Sequence, residues 1–170
     1  MWLCLGYHSL SAQTYSREKL RASFLRATEQ KAALDSFLNI LETLPKRSPA
    51  EESYLGICTG MCCQYDNGNW AKLRHVLKSK NHLNNAVEMD SKDPELRFLR
   101  VMFEHFLPSF LGFNKHLYDD MNVLFANPTF IDESPALKKK VIEFLLFSKR
   151  CTPYQTKLLE QKLAEVTAKL

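Results

Sequence analysis

The residues of this sequence whose types and spacing best suit chemistry form a charged stripe on an otherwise apolar segment. Arg97, Arg100 and Glu104 stand at i, i+3 and i+7, one narrow line along a helix. Arg100 and Glu104 are placed to pair at i, i+4. The stripe has a bland reading, a solvent-facing or internally salt-bridged face. Its functional reading is an arginine pair at a groove, where forked guanidinium groups hold a partner's carboxylates. Arg97 also has a third use open to it, reaching Asp93 or Glu95 and fixing the start of the helix.

Other constellations are thinner. Cys58 and Cys62 are i, i+4, and with a histidine from another helix they supply three zinc ligands but no clear fourth. His75 and His82 lie two turns apart, too far to share an ion. The acidic pairs Asp119-Asp120 and Asp132-Glu133 face different ways on a helix, so neither makes a catalytic dyad, and Asp132-Glu133 sits where it favours the next helix through its dipole. No Gly-x-Ser-x-Gly, phosphate-cradling glycine loop or paired Cys/His motif occurs. Catalytic residues, a metal and a cofactor are therefore not expected. Cys58, Cys62, Cys63 and Cys151 read as free small hydrophobes, with a bridge from Cys62 or Cys63 to Cys151 as the alternative.

The elements that must position these residues are helices. Four times a capping residue precedes proline: Ser48-Pro49, Asp93-Pro94, Ser134-Pro135 and Thr152-Pro153. The cap side chain accepts a free first-turn N–H, and proline lacks only a donor that would go unpaired. Ser48 and Glu51 complete a capping box. A further start is expected at Asn114, after Gly112. Apolar residues recur at helical period over 17–43, 49–65, 69–90, 94–107, 114–126, 135–149 and 153–169. In 69–90, Trp70, Leu73, Leu77, Leu83 and Val87 share one side. The segment from Leu96 to Leu107 is apolar nearly all round, which marks a central helix. Gly56 and Gly60 inside a helix predict a close helix–helix approach there, since each glycine costs up to ~1 kcal/mol against alanine, with backbone approach to a ligand as the alternative. The expectation is an all-α domain of about seven helices, a leading helix and three stacked αα-hairpins, either short-solenoid-like or an irregular bundle.

Two resemblances accompany this pattern. Ala86-Val87-Glu88-Met89-Asp90 before Asp93-Pro94, with Tyr54-Leu55-Gly56, resembles parts of a tetratricopeptide repeat. Pro94-Glu95-Leu96-Arg97-Phe98-Leu99-Arg100, followed by Leu107-Pro108-Ser109-Phe110-Leu111-Gly112, resembles a group of small uncharacterised bacterial proteins that are often exported. That second likeness implies a helical fold and export, and no activity.

Composition narrows the function classes. One domain's worth of chain, 170 residues with 45% hydrophobic content, is large enough to fold without staples. No run of 18 apolar residues follows the first dozen positions, so no transmembrane segment is expected. Residues 1–47 hold seven Lys/Arg against four Asp/Glu, and residues 48–170 hold sixteen against fifteen. The body is thus nearly neutral, and Lys138-Lys139-Lys140 fans around its helix, so nucleic acid is not an expected partner. Residues 1–12 read as a truncated leader ahead of a single domain over 13–170, with a periplasmic or secreted location, otherwise cytoplasmic. The function these features favour is a non-enzymatic helical-hairpin module binding a protein or peptide. The alternative is an enzyme or small-ligand protein with an inter-helix pocket near Arg97 and Arg100.

Overall fold

A computed structural model describes residues 15–108, 112, 115–127 and 135–169. Among them the fold is all-α, with eight helices: α1 (Arg17–Glu29), α2 (Lys31–Glu42), α3 (Pro49–Met61), α4 (Asn69–Met89), α5 (Pro94–His105), α6 (Leu117–Ala126), α7 (Pro135–Ser148) and α8 (Pro153–Thr167). A 3-10 turn, Cys62–Gln64, follows α3.

Helices begin where the cap-proline pairs place them. Ser48 accepts from Glu51 N–H while the Glu51 carboxylate takes the Ser48 N–H at 2.7 Å. Asp93 accepts from Glu95 N–H, and Thr152 with Gln155 forms a second capping box. The cap expected at Ser134 lies outside the described residues, and the helix expected to start at Asn114 begins at Leu117, with His116 at its N-cap.

The expected leading helix is instead a fourth hairpin. Gln30 is extended, with φ −138° and ψ 124°, and its N–H closes α1 on the Arg26 carbonyl. No proline or glycine marks this break. A straight helix of that length would run ~40 Å. Folding it back buries Leu20 and Ala27 of α1 together with Leu34, Phe37 and Leu41 of α2. The hairpins are then α1/α2, α3/α4, α5/α6 and α7/α8.

The hub of the N-terminal hairpins is α3, buried from Ala50 through Thr59 and packed on α1, α2, α4 and α5. Both glycines serve this packing. A Cβ on Gly56 would stand 2.8 Å from Leu83 Cγ, and one on Gly60 3.0 Å from the Phe103 ring. The apolar side expected for α4 holds only in its second half. Leu83 and Val87 are buried, whereas Trp70 is 82% exposed and Leu77 also faces out. The cause is length: α4 spans ~32 Å against ~20 Å for α3, so its first turns overrun their partner.

As its all-round apolar surface predicts, α5 is central. Leu96, Leu99 and Phe103 join the N-terminal core. Val101 joins a second core built on α6, α7 and α8, and Phe98 packs against both. No described helix is long and apolar enough to cross a membrane.

Candidate functional site

Two charged clusters fix α5. The first lies at its start. Asp93 and Glu95 receive Arg17, and Glu95 also receives Arg21 through two hydrogen bonds of 2.8 and 2.9 Å and the Tyr54 hydroxyl at 2.7 Å. Burial alone would raise the Glu95 carboxyl, but hydrogen bonds from Arg21, Tyr54 and Arg17 outweigh it and hold it below its ordinary value. Burial, and then the Glu95 charge, push the Tyr54 phenol well up. Arg17 and Arg21 therefore do at the start of α5 what the sequence had left open to Arg97.

The second cluster contains the residues the sequence singled out. Arg97 sends Nη1 to Asp120 at 2.7 Å and both Nε and Nη2 to the Ser91 carbonyl. Arg100 sends Nε and Nη2 to Asp120, each at 2.7 Å, and Nη1 to Asn84. Asp120 is fully buried. The carboxylate held by this arginine pair thus belongs to α6 of the same chain, and the pair joins α4, α5 and α6. A partner's carboxylate would have to displace Asp120 to reach it.

Glu104 completes the stripe but lies deeper than its spacing suggests, at 2% exposure. Among the described residues its Oε2 has no hydrogen-bond partner. Burial and the neighbouring Asp120 raise its carboxyl to about 7. His116, beside the same cluster, is lowered by burial and by Arg100 and Lys115.

The remaining candidates disperse. Cys58, Cys62, Cys63 and Cys151 are free thiols, with Cys62 on the Cys58 carbonyl and Cys151 on the Leu145 carbonyl, so the alternative bridge to Cys151 is not formed. His75 pairs with Asp66 at 2.9 Å and His82 with Glu52 at 2.8 Å, the latter carboxylate also taking Arg47. Among the described residues no three metal-ligating side chains converge.

The open surfaces lie elsewhere. α1 and α5 run alongside in the same direction without close backbone packing, as the succession Arg17–Asp93, Arg21–Glu95 and then Phe24 beside Met102 shows. Between them runs a trough of about 490 Å³. Its floor is Ile57, Gly60 and Met61 of α3, and its sides are Phe24 and Thr28 of α1, Val76 of α4 and Met102, Phe103 and Phe106 near the end of α5. Phe106 is 68% exposed and stacks edge-on with His105, whose neighbours include Phe144 and Phe147. Beyond Phe24 and Met102 lies a separate cavity of about 160 Å³, bounded by α1, α3, α5 and α7.

Sequence reasoning missed both spaces, because each lining is assembled from four helices and no single segment carries its pattern. No family model, curated protein or solved structure matches this chain.

Proposed function

We propose that this chain is a non-enzymatic helical-hairpin module that binds an acidic amphipathic helix of a protein partner in the trough between α1 and α5. The observation that carries this reading is the trough itself: two parallel helices held apart over an apolar floor, the form that receives a helix through anchors at i, i+3/i+4 and i+7. Charge supports an acidic occupant. Val76 lines the trough with Lys72 and Lys80 one turn to either side, and α4 carries four Lys/Arg against one acidic residue, Glu88. The exposed ring of Phe106 at the rim is the kind of aromatic anchor on which interfaces concentrate binding energy.

The test is fluorescence polarisation with a synthetic helical peptide bearing leucines at those spacings and glutamates on its other face. Phe106→Glu is expected to weaken binding about tenfold or more while leaving the thermal midpoint unchanged. Binding that is equal for wild type and Phe106→Glu removes the trough from the reading.

A further inference from the structure

We propose a second binding site, in the 160 Å³ cavity between α1, α3, α5 and α7, for a small hydrophobic carboxylic acid: a medium-chain fatty acid or an aryl acid of similar size. It does not depend on capture of a helix in the trough, because it stands on a different space with different polar chemistry.

The body of the cavity is apolar. Phe24, Tyr54, Phe98, Met102 and Phe144 form most of its wall, with Phe98 and Phe144 set edge to face at 5.6 Å. A dry apolar cavity of about 150 Å³ is large enough to take a benzene ring. The space exists because α5 serves two cores. Its N-terminal-core face meets α1 and α3 while Phe98 reaches α7, and the four helices meet without filling the seam.

The polar groups decide the head group. Arg21, Glu95 and Lys140 are the charged residues of the lining. Glu95 has no acceptor capacity left. Its Oε1 takes Arg21 Nε and the Tyr54 hydroxyl, and its Oε2 takes Arg17 and the second Arg21 nitrogen. Four bonds match the roughly four lone-pair sites of a carboxylate. A cationic ligand therefore finds no anion to pair with. Lys140 is different. It is exposed at the rim, and among the described residues no hydrogen bond or ion pair occupies its three donors. The three charges sum to +1. An apolar tail in the aromatic seam with an anionic head on Lys140 satisfies both halves of the site.

The experiment is isothermal titration of the full chain with octanoate, with octylammonium and 1-octanol as matched probes, and carbonyl-labelled octanoate followed by carbon NMR. Octanoate should bind at least about tenfold more tightly than either probe, and Lys140→Gln should remove most of that preference, as loss of a charged hydrogen bond does. Leu25→Phe, which adds volume from a half-buried position on the wall, should abolish binding by all three probes without unfolding the chain. Several outcomes overturn the site: no octanoate binding, equal binding of octanoate and octylammonium, or octanoate binding unchanged in both Lys140→Gln and Leu25→Phe. A helix-peptide titration run alongside separates this failure from failure of the trough.

Discussion

Replacing Asp120 by alanine tests the reasoning that places the arginine pair in the architecture of the chain. Three charged hydrogen bonds of 2.7 Å end on this fully buried carboxylate. Without it Arg97 keeps two bonds to the Ser91 carbonyl and has a side chain 14% exposed, so its share of the loss is small. Arg100 is left with Asn84 alone, its side chain 6% exposed, and a guanidinium cannot escape by losing its proton. Removing one partner of a buried ion pair costs about 3–5 kcal/mol, because the other charge stays buried. For a chain of this size that corresponds to a thermal midpoint lower by roughly 6–20 °C.

Urea unfolding at neutral pH measures this loss, read as a shift of midpoint at constant slope. Asp119→Ala is the internal control. Asp119 is exposed in the same first turn of α6, and its loss costs no more than ~1 kcal/mol through the helix dipole. The pair of substitutions Arg100→Met and Asp120→Leu should be far milder than Asp120→Ala alone, since it removes both charges together. An Asp120→Ala protein no less stable than Asp119→Ala would refute the buried cluster.

Other consequences follow from the same contacts. Glu104 is held near 7 in the folded chain against an ordinary 4.5, so the fold favours its protonated form. Its stabilising contribution is fully present below about pH 4.5 and is lost as pH rises through about 7. Glu104→Gln should flatten that decline in urea midpoints, and an unchanged pH profile would count against the burial of Glu104. Gly56→Ala gains up to ~1 kcal/mol of helix propensity but drives a methyl against Leu83, an overpacking cost of about 1–3 kcal/mol. It should be destabilising by denaturant titration, and a stabilised variant would show that α3 and α4 are not so close. Thiol labelling mapped by mass should find Cys62, Cys63 and Cys151 reacting in the folded chain and Cys58 only after unfolding, because burial pushes all four thiols up but only Cys58 is fully buried, the others being half-buried.

Local signals were legible, and long-range pairings were not. The cap-proline pairs described in the structure mark helix starts because both residues act within one turn. The two glycines of α3 likewise announce a close approach, which the packing against α4 and α5 supplies. The turn at Gln30 carries no local signal, since it is dictated by the need of Leu34, Phe37 and Leu41 to return to the core. The same holds for charge. Arg97, Arg100 and Glu104 were identifiable by type and spacing, but Asp120 lies 20 residues from Arg100 and Arg17 lies 78 from Glu95. A spacing rule for one helix says nothing about which distant carboxylate a guanidinium meets.

The long reach of those guanidinium groups also explains why the chain has a trough. Close-packed helices lie about 8–10 Å apart, with short side chains interlocked between them. At the start of α5 the contacts to α1 are instead arginine-to-carboxylate bridges, made by two of the longest side chains available. Such a bridge fixes direction and distance together, and it holds α1 away from α5 while α3 supports both from beneath. On its other side α5 is tied to α6 through Asp120 and shares Phe98 with α7. Held from both flanks, α5 cannot move toward α1 to close the gap without breaking buried charged hydrogen bonds at one seam or the other. Closing the gap by bringing the helices together would disturb those bonds. The apolar walls of the trough and cavity are what remains for another molecule to cover.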